Sequence, residues 1–91
     1  METNIPIPYQ DTDENRWRKR LAFVGMFFEV QSQKDFQVTG IIRQSSGGLC
    51  SPGFGTTVGD AIRSASVGMR IDWHSVDKKM TEVAWRELAH I

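Results

Sequence analysis

The stretch LAFVGMFFEVQSQKDFQVTGIIR, residues 21–43, decides the fold. It contains two apolar runs rich in Phe, Val, Ile and Met, and the polar residues 31–35 separate them. Aromatic and β-branched residues favour strands, and a short polar break between two such runs favours a hairpin. We therefore predict an antiparallel β-hairpin over about residues 21–44.

Both predicted strands carry apolar side chains on both faces. In the second strand Val38 and Ile42 share one face, whereas Ile41 lies on the other. In the first strand Phe23 and Phe27 lie opposite the main apolar set. That set is Ala22, Val24, Met26, Phe28 and Val30. Because a half-buried strand normally has a polar outer face, two interpretations stay open: a central strand, or a second face that is itself a binding surface.

Two amphipathic helices are predicted after the hairpin. A glycine-rich loop at residues 45–59 leads to Thr57, the expected N-cap of a helix over about 58–71. Ser75 is the expected N-cap of a second helix over about 76–90. Their apolar stripes, at helical spacing, are Val58, Ala61, Ile62, Ala65 and Met69, and Val76, Met80, Val83, Ala84, Leu88 and Ile91. Two helices covering one face of a small antiparallel sheet make the fold α+β.

The rest of the chain completes a single domain over residues 11–91. We predict a sheet of two to three strands, in which the third would be a short strand at about 49–54. Residues 13–20 suit a short helix with Thr12 as N-cap, although a strand is the alternative. Alternating prolines predict that residues 1–10 form an extended arm.

The composition excludes several classes of protein. The chain has 91 residues, 40% of them hydrophobic, and eleven Lys plus Arg balance eleven Asp plus Glu. The single Cys50 excludes an internal disulfide and a zinc site built from several thiolates. The longest apolar run, residues 21–28, is far shorter than the roughly 18 residues of a membrane span, and residues 1–20 lack the pattern of a signal peptide. We expect a cytoplasmic protein with no membrane partner.

A short basic segment is the one local excess of charge. It consists of Arg16, Trp17, Arg18, Lys19 and Arg20. Cations interleaved with an aromatic ring are typical of single-stranded nucleic-acid sites, but a solvated helix end with Trp17 in the core gives the same pattern. We also expect the neighbouring acids, Asp11, Asp13 and Glu14, to lie within reach of these bases and to mask them.

Catalytic and cofactor sites find little support in the sequence. Cys50 and His74 are far apart in the chain, and no third residue is placed to orient them. His74 and His90 match no metal-ligand spacing. The glycine loop could offer backbone amides to an anion, but it lacks the lysine of a phosphate-binding loop. We predict no enzyme activity, no metal and no cofactor.

Aromatic residues point to an interaction role. Nine aromatic side chains are many for a core of this size, and Tyr9 and Trp85 lie off the apolar stripes. The leading hypothesis is a small non-enzymatic domain that binds a larger protein or forms a homo-oligomer. Its partner-binding residues would be Tyr9, Arg16, Trp17, Arg18, Lys19, Arg20 and Trp85. The alternative is a nucleic-acid-binding module that uses Arg16 to Arg20.

Two resemblances concern architecture alone. The order helix, three strands, helix over residues 13–70 resembles the double-stranded RNA-binding domain in topology. That family has lysines at the start of its second helix, where this chain has Thr56, Thr57, Val58, Gly59 and Asp60. A small sheet with helices and neutral charge is also similar to phage-encoded inhibitors, anti-CRISPR proteins among them, and this similarity implies docking on a host protein.

Overall fold

A computed structural model describes residues 8–48 and 50–89 of the chain, with Cys50 described by its backbone alone. The elements, in chain order, are a 3-10 turn at Pro8–Gln10, helix α1 at Glu14–Phe23, strands β1 at Met26–Lys34, β2 at Gln37–Gln44 and β3 at Cys50–Gly55, and helices α2 at Val58–Val67 and α3 at Trp73–Ala89. The strands form one antiparallel sheet in the order β1-β2-β3. The predicted α+β fold, with its hairpin and third strand, is confirmed. The first strand was predicted to begin at about residue 21, but residues 21–23 form the last turn of α1 and β1 begins at Met26.

The core lies between the sheet and the helices. α2 packs on β2 and β3, and α1 packs on β1 and α2. The rings of Trp17 and Trp73 are completely buried and meet edge to face, with centroids 5.2 Å apart. The indole N–H of Trp73 donates to the carbonyl of Ser66 at 3.0 Å, so it satisfies an acceptor at the end of α2. Two aromatic anchors therefore join α1, α2 and the start of α3.

The helix starts differ from the predicted ones. Residues 14–20 belong to a helix as predicted, but its N-cap is Asp13 and not Thr12, because the carboxylate of Asp13 accepts from the backbone N–H of Arg16 at 2.9 Å. α3 begins at Trp73, so Ser75 lies inside it and is not its N-cap. The carboxylate of Asp72, just before the helix, accepts from the N–H of Ser75 at 3.2 Å and caps it instead. Both corrections have one cause: an aspartate just before the helix is as good a cap as the predicted hydroxyl residue. The cap predicted for α2, Thr57, is confirmed.

Two further details differ from the prediction. α2 ends at Val67, four residues before the predicted end, and α3 packs mainly against α1 and the 3-10 turn and not on the sheet. Residues 8–10 form this turn instead of an extended arm, and Pro8 is buried in it. The rest of the predicted arm, residues 1–7, lies outside the described residues. Within 8–48 and 50–89, no helix is long and apolar enough to cross a membrane.

The hairpin turn has an unusual composition. Lys34 pairs with Gln37, so Asp35 and Phe36 alone connect the strands, with φ values of 43° and 63°. Positive φ at both positions is the pattern of a type I′ turn, in which glycine is the preferred second residue. Phe36 is 85% exposed and gains almost no packing there. The turn therefore keeps a bulky side chain in a backbone conformation that disfavours it.

Replacing Phe36 by glycine is expected to raise the free energy of unfolding by about 1 kcal/mol, because glycine adopts positive φ without the clash of a Cβ. Urea titration followed by circular dichroism measures the change. Phe36→Ala keeps the Cβ and is expected to give a smaller gain. A Phe36→Gly protein no more stable than Phe36→Ala would contradict this reasoning.

Candidate interaction surface

No helix within residues 8–48 and 50–89 covers the side of the sheet that faces away from α1 and α2, which we call the outer face. Strand register places on it Phe27, Glu29, Ser32 and Lys34 of β1, Gln37, Thr39, Ile41 and Arg43 of β2, and Pro52 and Phe54 of β3. The alternate residues Phe28, Val38 and Ile42 point into the core. Because β1 is an edge strand, the central-strand interpretation of its two apolar faces is wrong, and the outer face is the surface that needs an explanation.

The three-stranded part of the outer face carries large apolar side chains that are exposed to water. Phe27 is 44% and Phe54 is 59% exposed, and Ile41 is half-buried on the middle strand between them. Glu29 and Arg43 pair with each other across β1 and β2 at 3.1 Å. A solvated sheet face normally alternates to polar residues, so this one has the character of a contact surface.

Phenylalanine is exposed elsewhere as well. Of the five phenylalanines, only Phe28 is buried, whereas Phe23 and Phe36 add to the two on the outer face. The distal part of α3, residues 81–89, is exposed along its whole length. It carries three exposed large apolar side chains, Val83, Leu88 and Trp85, and Trp85 is 68% exposed. The structure thus leaves Trp85 accessible, as an interface anchor would need to be.

The basic segment pairs with the acids that precede α1. Asp11 accepts from the guanidinium of Arg16 at 2.8 Å, and Glu14 accepts from Arg18 at 2.8 Å, one helical turn away. Asp13 is occupied as the N-cap. The prediction that these acids lie within reach of the bases is therefore confirmed.

Arg20 and Trp17 are part of the interior. Arg20 donates two hydrogen bonds to the carboxylate of Asp77 on α3, at 2.8 and 3.1 Å, and one to Asp11 at 3.0 Å. Its guanidinium carbon lies 4.5 Å from the centre of the Trp17 ring. Trp17 is completely buried, with its indole N–H on the carbonyl of Asp11. As a correction to its predicted role, Trp17 has no face on which a base or a partner could stack.

Asp11 is the centre of this ion-pair cluster. Burial by itself would raise the pKa of Asp11, but hydrogen bonds from Arg16, from the backbone N–H of Asp13 and from Arg20 outweigh it and lower that pKa below the ordinary value. Asp11 therefore stays ionised at neutral pH. The cluster stabilises the fold above the unfolded-state pKa of Asp11, and its contribution is lost as the pH falls through the lowered value.

Of the other predicted site residues, Lys19 is exposed to solvent, and Tyr9 is partly used in holding the fold together. Lys19 is exposed and makes no ion pair within the described part of the chain. Tyr9 is 37% exposed, but its hydroxyl donates to the carbonyl of Ile71 at 3.3 Å and its own carbonyl accepts from Arg63 at 3.0 Å. Tyr9 thus anchors the 3-10 turn while it presents part of its ring.

The start of α2 carries its own negative charge. The carboxylate of Asp60 accepts from the hydroxyls of Thr56 and Thr57, at 2.8 and 3.0 Å. These hydrogen bonds lower the pKa of Asp60 below its ordinary value. Since an anion already occupies this helix end, the glycine loop is a poor site for an external phosphate.

The described part of the chain holds no candidate metal-binding cluster. Among residues 8–48 and 50–89, no three His, Cys, Asp or Glu side chains are grouped to hold a metal ion. His74 is exposed. His90 and the side chain of Cys50 lie outside the described residues, so their predicted lack of a catalytic or metal role stays a prediction.

The outer face was not among the predicted site residues, although the sequence held a signal for it. That signal was the off-pattern apolar residues Phe27 and Ile41, whose meaning depended on the strand order. Phe54 gave no such signal, because it directly follows Pro52 and Gly53 in a glycine-rich segment, and the sequence did not show which face of the third strand it would occupy. No family model, no curated protein and no solved structure matches the chain.

Proposed function

We propose that this chain is a non-enzymatic protein-interaction domain that binds its partner through the outer face. The observation that carries the proposal is the exposure of Phe27 and Phe54 around Ile41, on a sheet face that no helix covers. Aromatic side chains in the middle of a contact area supply most of the binding energy of protein interfaces. A folded domain that exposes such residues has surface to gain by docking.

Charge supports a protein partner over a nucleic acid. Of the four bases in the segment 16–20, Arg16, Arg18 and Arg20 already hold carboxylates of this chain. Binding to phosphates through these three would have to break those pairs, and Arg20 is buried. In the three-stranded part of the outer face, the acid Glu29 and the base Arg43 neutralise each other. Apolar contact, and not counterion release, is therefore the expected driving force.

The proposal also includes a role as an inhibitor and a cytoplasmic location. An inhibitor of the phage type, which occupies the surface of a host protein, would use the outer face as its docking surface. The single cysteine, which rules out an internal disulfide, suits a cytoplasmic location.

The test compares protein capture by the wild type, by Phe54→Lys and by Phe36→Lys. Each tagged protein is kept dilute and exposed to a source lysate, and bound proteins are quantified by mass spectrometry. The lysine on the outer face is expected to reduce specific capture about 30-fold, which corresponds to the roughly 2 kcal/mol of an interface anchor. Phe36→Lys makes the same chemical change at the hairpin tip and is expected to bind like the wild type.

The same experiment decides against the proposal if Phe54→Lys captures the same proteins as the wild type. Recovery of nucleic acid that falls steeply as salt rises would favour the alternative module built on Arg16 to Arg20. Capture through an apolar face is expected to change little between low and moderate salt.

A further inference from the structure

We infer that the outer face also pairs with the outer face of a second copy of this chain, which gives a symmetric dimer with two sheets stacked between two layers of helices. This inference rests on the proposed function, because it uses the same surface. It names the occupant of that surface: a second identical sheet.

The size of the outer face suits a weak dimer. All three strands are paired where residues 38–43 of β2 meet 50–55 of β3. At ordinary strand spacing and rise this area measures roughly 14 Å by 20 Å. Each face thus covers roughly 280 Å² in plane, and two of them stacked about 10 Å apart would cover on the order of 600 Å², below the usual size of a stable specific interface. The expected dimer is therefore weak and reversible, and it forms at high protein concentration.

Charge places no barrier between two copies. The formal net charge of the chain is zero at pH 7, so two molecules do not repel each other at long range. In the three-stranded part of the outer face the ionised side chains Glu29 and Arg43 are paired with each other at 3.1 Å, and Lys34 lies apart from them, beside the hairpin turn. A surface with no net charge is complementary to itself, whereas a strongly charged partner would find no opposite charge to meet.

The position of Ile41 fits a two-fold contact. It lies on the middle strand and pairs with Glu29 on one side and with Pro52 on the other, so it is central in the outer face. In a symmetric dimer, residues near the two-fold axis meet their own copies. Two apolar Ile41 side chains can pack there, and two lysines at this position would repel each other.

The test is sedimentation equilibrium over a concentration series from low micromolar to high micromolar. The apparent mass of the wild type is expected to rise from the monomer value of 10.3 kDa towards twice that value. Ile41→Lys and Phe54→Lys are expected to stay monomeric over the whole series. Because Ile41 is half-buried and its replacement can weaken the fold, Phe54→Lys, at an exposed position, gives the independent result. Circular dichroism and the melting temperature report whether each variant is folded.

Two matched controls locate the contact. Phe36→Lys at the hairpin tip and Trp85→Lys on the distal part of α3 remove other exposed aromatics, and both are expected to dimerise like the wild type. The inference is overturned if the wild type stays monomeric throughout the series. It is also overturned if either control stays monomeric while Phe54→Lys still dimerises. A monomeric wild type leaves the proposed function standing, because partner capture is measured on dilute protein in which this dimer does not form.

Discussion

Replacing Gly53 by alanine is expected to lower the free energy of unfolding by about 3 kcal/mol or more, a large part of the total stability of a domain of this size. Gly53 lies in β3 and faces α2. A Cβ at this position would be 2.1 Å from the backbone oxygen of Ala61 and 2.7 Å from the Cβ of Ala65. Because the first of these atoms is backbone, no change of rotamer relieves the clash, and α2 has to move away from the sheet.

The matched control is Gly68→Ala, at the C-cap of α2. There the nearest atom to an added Cβ is 3.6 Å away, and φ is −70°, which alanine adopts without strain. This variant is expected to be neutral or to gain up to about 1 kcal/mol through the unfolded state. Urea titrations of both variants give the comparison. Equal stability of Gly53→Ala and Gly68→Ala would mean that α2 does not approach β3 as closely as the structure shows.

Gly53 also shows where sequence reasoning on the fold reached its limit. The hairpin and α2 could be predicted because apolar residues recur there with the period of a strand or a helix. The five glycines of segment 45–59 predict a loop with a short third strand at about 49–54, but they do not show that Gly53 and Gly55 lie in this strand directly beneath α2. Glycine serves equally in turns and in close approaches of two backbones, and only the position of α2 decides between the two uses.

The starts of α1 and α3 were missed by one and three residues for a different reason. Near each start two side chains can accept from a free N–H, Thr12 and Asp13 at α1 and Asp72 and Ser75 at α3, so local sequence does not choose between them. Burial favours the observed starts: α3 begins early enough for Trp73 to enter the core and bond to the carbonyl of Ser66. A long-range contact thus selects among local alternatives of similar energy.

In the basic segment, residues 16–20, local sequence could not show which side chains are buried. Arg16 and Arg18 meet acids close in sequence, and these pairs were foreseen. Arg20 meets Asp77, which is 57 residues away, so no local pattern could assign it to the interior. Five adjacent residues that resembled one surface cluster are divided between a buried pair, Trp17 and Arg20, and exposed or partly exposed neighbours.

Arg20 is expected to be essential for holding α3 on the body of the domain. It is 6% exposed and joins Asp11 and Asp77 while it lies over the ring of Trp17. Replacing it by methionine keeps an apolar side chain of similar length but leaves two carboxylates without their shared cation. Removing one partner of a buried ion pair is strongly destabilising, because the remaining charge stays away from water.

We expect Arg20→Met to lower the free energy of unfolding by about 3 kcal/mol, at the lower end of the range for buried pairs, because the Asp77 side chain is 35% exposed. The control is Arg18→Met on the same helix, whose pair with Glu14 is 39% and 44% exposed and is expected to contribute at most about 1 kcal/mol. Urea titrations at pH 7 measure both losses. As the pH falls through the lowered pKa of Asp11, the difference between Arg20→Met and the wild type is expected to shrink, because the neutral carboxyl of Asp11 no longer needs the cation. Equal losses in the two variants at pH 7 would show that Arg20 is as dispensable as an exposed base, and its segment would again be available to a polyanionic ligand.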